Sequence, residues 1–121
     1  MSDEYTIWHN PQCSTSRFVL QALRDAGVTV AVRDYRKEPP SEAELSTALA
    51  VLNMSPRDLL RRRNTPYDEL GLDDQTLTDE ALIAAMSAHP TVIERPVVFA
   101  PMGARLCRPK STVFDLLPGA A

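Results

Sequence analysis

Apolar positions change their spacing repeatedly along this chain, and each change predicts an element. Tyr5 to His9 is short, aromatic and β-branched and stops at Asn10-Pro11, which predicts a strand and a turn. From Cys13 onward, Val19, Ala22, Leu23 and Ala26 fall on one face of a helix, with Gly27 at its C-terminal cap. Val28, Val30 and Val32 alternate with Thr29, Ala31 and Arg33, so a second strand with one more apolar face follows. Strand, helix and strand this close together form a βαβ unit with parallel strands.

Beyond Pro39-Pro40 the period becomes helical. Ser41 with Glu44 is a capping box, and Leu45, Ala48, Leu49 and Leu52 continue one face. Ser55-Pro56 opens a short helix that runs into Arg61-Arg62-Arg63, and Thr65 to Gly71 reads as a turn or short helix. Thr78 caps a further helix with Asp79 and Glu80 in its first turn and Leu82, Ala85 and Met86 facing inward, ending at His89-Pro90. Residues 41 to 89 are thus expected to be a helical insertion. Strand character returns at Pro96 to Ala100, turns at Pro101-Met102-Gly103 and resumes at Ala104 to Arg108, a hairpin, before a last helix from Ser111 to Leu117. The order matches an α/β, thioredoxin-like mixed sheet, parallel βαβ plus antiparallel ββα, with the helices inserted between its halves. The 121 residues are read as a single domain.

Composition narrows the functional classes. Thirteen Lys and Arg against 16 Asp and Glu leave a net charge of −3, which argues against nucleic acid or an anionic membrane as a partner. Apolar residues at 44% are ordinary globular usage, no run approaches the ~18 apolar residues of a membrane span, and the start Met1-Ser2-Asp3-Glu4 is acidic where a secretory signal is basic. A cytoplasmic location is expected. The two cysteines, Cys13 and Cys107, are too few and too far apart for a disulfide scaffold or a CxxC metal pair.

Cys13 carries the candidate chemistry. It lies between a strand and a helix, where first-turn amides point their positive ends at its sulfur and lower the thiol pKa. Arg17 adds positive charge one turn on, and the Ser14 and Ser16 hydroxyls are available to a thiolate or an oxyanion. Cys13 to Ser16 has the spacing of a CxxC site whose second sulfur is a hydroxyl, so the motif cannot resolve itself, and Cys107 is either a resolving thiol or a small apolar core residue. A tyrosine-phosphatase loop separates its Cys and Arg further than Cys13 and Arg17 are separated, and His9 with Cys13 lacks a second pair for a metal. No metal and no bound cofactor are therefore expected. Arginine guanidinium groups suit tetrahedral oxyanions, and Arg95, before Pro96, holds the place that faces the cysteine loop in thioredoxin-like layouts, where the proline is often cis. If Arg108 faces the site, Cys107 next to it faces away.

The segments HNPQCSTSR at residues 9 to 17, Leu59-Leu60-Arg61, Pro66-Tyr67-Asp68-Glu69-Leu70-Gly71-Leu72, His89-Pro90, Glu94-Arg95-Pro96 and Arg105-Leu106-Cys107-Arg108-Pro109 occur in this order. Together they resemble the glutaredoxin-coupled arsenate reductase family, from about residue 5 to 117. The resemblance implies Cys13 as nucleophile, His9 and Ser16 as supporting groups, and Arg61, Arg95 and Arg108 as the residues that hold the anion. It further implies arsenate as substrate, glutathione as co-substrate and glutaredoxin as protein partner. Two alternatives keep Cys13 but give it another role. One is a thiol-dependent oxidoreductase with a different substrate, and the other is a redox regulator similar to the Spx type, which usually carries the CxxC that Ser16 interrupts.

Overall fold

The computed structural model describes residues 4–118, so the acidic start at Met1 to Asp3 lies outside the described residues. The chain divides into two compact units. One runs to Glu38 and resumes at Arg95, and the other is Pro39–Glu94.

The first unit is a four-stranded sheet with one long helix. Its strands are β1 (Glu4–His9), β2 (Thr29–Asp34), β3 (Val97–Ala100) and β4 (Gly103–Leu106), and its helix is α1 (Ser14–Asp25). The strand order is β2-β1-β3-β4. β1 runs parallel to β2, with Tyr5 opposite Val30 and His9 opposite Asp34, and antiparallel to β3, with Trp8 opposite Val97. The β3–β4 hairpin is antiparallel, with Val97 opposite Leu106. This is the mixed α/β sheet expected from the apolar pattern.

Period-2 and period-3.6 patterns meet in one core. Tyr5, Ile7 and Val98 from the sheet, Val19, Leu20 and Leu23 from α1, and Cys107, Val113 and Leu116 from the closing segment bury one another. Side chains on a strand alternate, so Trp8 falls on the opposite sheet face, where it meets Phe99 edge-on at 5.0 Å between centroids. Gly27 takes a φ of +78° just past α1, which a residue with a Cβ adopts at a cost. The valine stripe of β2 is buried only in part. Val28 and Val30 pack against the core, but Val32 is 44% exposed, because β2 is an edge strand with a neighbour on one side only. The closing helix is a 3-10 helix over Lys110–Leu116. Both Arg95-Pro96 and Arg108-Pro109 are cis, the second without forewarning in the sequence.

The second unit contains α2 (Glu42–Leu52) and α3 (Asp79–Ala88). The capping box is present: the Glu44 amide donates to Ser41 Oγ at 3.1 Å and the Ser41 amide to Glu44 Oε1 at 3.0 Å. Thr78 caps α3 by accepting the Ala81 amide at 3.1 Å. Leu45, Ala48, Leu49, Leu82 and Met86 are the buried positions of the two helices. Between them Pro56–Leu59 forms a 3-10 turn capped by Ser55.

Candidate active site

The parallel β1–β2 pair determines where the chain turns toward its chemistry. β1 ends at His9, Asn10 to Gln12 make a turn, and Cys13 begins α1 in an extended conformation, φ −94° and ψ 121°. The turn is tied from within. The Cys13 amide donates to the Asn10 carbonyl at 3.0 Å, the Gln12 amide to Asn10 Oδ1 at 3.0 Å, and the Arg17 guanidinium to the Pro11 carbonyl at 2.9 Å. Beneath it, the fully buried Ser16 hydroxyl accepts the Asn10 amide at 3.0 Å and lies 2.6 Å from His9 Nδ1.

The hairpin supplies the cations. Antiparallel pairing of β3 and β4 brings the residues just outside Val97 and Leu106 to the same end of the sheet, and β3 starts beside the end of β1. Arg95 and Arg108 occupy those places, and Arg108 Nη1 donates to the Arg95 carbonyl at 3.0 Å. Burial pushes the Cys13 thiol up. The Ser16 amide and the Arg95 and Arg108 guanidinium groups pull it down by more, so it titrates below the ordinary thiol range. Cys13 is partly exposed, so this thiolate is accessible. Cys107 is the opposite case: it is wholly buried in the apolar core, and burial pushes its thiol up to about 12.

His9 is held neutral chiefly by burial, which lowers it more than Asp34 raises it, with Arg24, Arg17 and Arg36 adding to the lowering. Asp34 itself is engaged by Arg36 at 3.1 Å. Two expectations change in detail. The Ser16 hydroxyl is turned to His9 and Asn10, and it is the Ser16 amide that acts on Cys13. Arg17 braces the turn through Pro11, while the charges that lower the thiol come from the hairpin. Arg61 belongs to the helical unit, where it pairs with Glu94 at 3.0 Å and donates Nε to the Arg63 carbonyl at 3.1 Å. Among the described residues, no group of three or more His, Cys, Asp or Glu side chains could hold a metal ion.

Asn10 and Tyr35 were not singled out from the sequence. Tyr35 follows β2 directly, is fully buried, and its hydroxyl makes no hydrogen bond of good geometry among the described residues. Burial raises it, while Arg95 and the Asn10 side chain beside it act the other way. The parallel pairing carried the missing signal: once His9 is opposite Asp34, the residue after Asp34 belongs beside the residue after His9.

Comparisons with known proteins find relatives in both sequence and fold. The arsenate reductase of Vibrio cholerae superposes with a TM-score of 0.91 at 38% identity, covering 97% of this chain and all of that one. The arsenate reductase of Rhizobium meliloti (strain 1021) is 49% identical over 113 residues, 93% of this chain and 81% of that protein. That of Escherichia coli (strain K12) is 44% identical over 115 residues, 95% of this chain and 82% of that protein. Among the described residues, no helix is long and apolar enough to cross a membrane. The profile of the ArsC family spans residues 8–116, from the end of β1 through the cysteine turn and both hairpin arginines to the closing 3-10 helix, and the chain belongs to that family.

Proposed function

We propose that this chain is an arsenate reductase that works through Cys13, with glutathione as co-substrate and glutaredoxin as the protein that regenerates it. The observation that carries the reading is an accessible thiol lowered by the Ser16 amide and by Arg95 and Arg108. The same cations that stabilise a thiolate compensate the charge of an oxyanion leaving water.

The Cys13 thiolate attacks arsenic(V), and one arsenate oxygen leaves as water after protonation, forming a sulfur–arsenic bond. Glutathione thiolate then attacks the Cys13 sulfur. The sulfur–arsenic electron pair passes to arsenic, arsenite departs, and a Cys13–glutathione disulfide remains. Arsenic gains two electrons and the two thiols lose them, so the step balances. Glutaredoxin accepts the glutathionyl group and returns Cys13 to its thiol. Buried Cys107 is unsuited to resolve the adduct, which supports an external thiol. A free catalytic thiol of this kind suits the reducing cytoplasm. Arg61 joins the anion-holding set on the family resemblance, and His9 keeps Ser16 and the turn in place.

The test is arsenate-dependent NADPH oxidation with glutathione, glutathione reductase and glutaredoxin. Wild type turns over, Cys13→Ser does not, and Arg95→Ala and Arg108→Ala each lose about tenfold or more in kcat/KM. Arg61→Ala is measured beside them. Absence of arsenate-dependent oxidation by the wild type overturns the reading.

A further inference from the structure

One cavity in the sheet unit takes no reacting group in the chemistry above, although His9 and Arg17 on its wall also brace the Cys13 turn. It measures about 280 Å3 and is lined by His9, Pro11, Arg17, Leu20, Gln21 and Arg24. Arg17, Gln21 and Arg24 are spaced four and three apart on α1, so they share one helix face. The cavity reaches Pro11, two residues before Cys13. Its lining includes two guanidinium groups and an amide and no carboxylate. The Arg24 guanidinium makes no hydrogen bond or ion pair among the described residues, whereas Arg17 spends one side-chain N–H on Pro11 and Gln21 one on Asp25.

His9 adds a further donor. Ser16 Oγ already accepts the Asn10 amide, so its own hydrogen is best used toward His9 Nδ1, 2.6 Å away. In the neutral ring the proton then resides on Nε2. A buried histidine in this tautomer and two arginines on the cavity wall together make an environment for a small anion.

We propose that this cavity receives a carboxylate of the thiol that resolves Cys13. The inference rests on the reading of Cys13 as a nucleophile resolved by glutathione, and it names where that co-substrate is held. Glutathione carries its thiol between carboxylates, so anchoring one of them beside the Cys13 turn converts a bimolecular disulfide exchange into an oriented one.

The experiment uses the intact protein and no arsenate. Cys13 is converted to a mixed disulfide with an aromatic thiol whose release is coloured. The incoming thiolate attacks the Cys13 sulfur and the aromatic thiolate leaves with the bond's electron pair. Release rates, referred to thiolate concentration, are compared for glutathione, its diethyl ester and neutral mercaptoethanol. Glutathione is expected to outpace its ester. Arg24→Glu slows glutathione by about fivefold or more while leaving mercaptoethanol within about twofold, and Arg24→Gln falls between. Arg62→Glu, an equal charge change in the helical unit, leaves the glutathione rate unchanged. Equal rates for glutathione and its ester, or equal slowing by Arg24→Glu and Arg62→Glu, overturn the proposal. An enzyme without arsenate turnover still gives this readout, so the two readings fail separately.

Discussion

The two cysteines of this chain have opposite chemistry for reasons visible around each sulfur. Cys13 is at a helix start with a backbone amide and two guanidinium groups, and its thiol is lowered. A lowered thiol is ionised at a pH where an ordinary one is not, so alkylation of Cys13 rises with pH through a midpoint below the usual range. Arg108→Ala removes one stabilising cation and moves that midpoint upward, which the pH profile of iodoacetamide labelling measures directly. An unmoved midpoint removes Arg108 from the thiolate's environment. Cys107 is wholly buried and raised to about 12. Stability tied to its neutral form is fully present below the unfolded thiol's pKa and is lost as pH rises through about 12. One thiol should therefore react in the native protein and both in denaturant. Cys107→Ser places a hydroxyl in the apolar core and should cost about 1–3 kcal/mol of unfolding free energy while keeping most turnover.

Local signals are strongest where a residue serves its own backbone. The Ser41–Glu44 box at the start of α2 and the Thr78 cap of α3 are readable from a few neighbouring letters and are present as such. Ser41→Ala unties the Glu44 amide and should lower stability by about 1 kcal/mol, read from the denaturation midpoint, with no change in Cys13 labelling. Val32 shows where local pattern stops being enough. Alternation places it on the same face as Val30, yet only the sheet order makes β2 an edge and leaves Val32 exposed. The closing segment is similar: its apolar spacing reads as helix, and the type, 3-10 over Lys110–Leu116, follows from packing Val113 and Leu116 into the core.

The whole chain is acidic, with a net charge of −3, while the cations at Cys13 come from two residues thirteen positions apart, at either side of one hairpin. Local field therefore outweighs net charge at this site. Phosphate matches arsenate in shape and charge and offers no productive chemistry to a thiolate. It should act as a competitive inhibitor, raising the apparent KM for arsenate with kcat unchanged in initial-rate assays. A fall in kcat without a change in KM places phosphate elsewhere. What the sequence by itself determined is the set of elements and the place of Cys13 between a strand and a helix, because helix periods, caps and a cysteine in such a turn act over a few residues. The order of motifs also carried the family. Only the tertiary structure decided that the Ser16 amide, rather than its hydroxyl, serves Cys13, and that Tyr35 stands beside Asn10 and Arg95. The physical reason is that such neighbours are set by strand register across long loops. A one-residue slip in register turns each side chain to the other face, so no local run of letters specifies them.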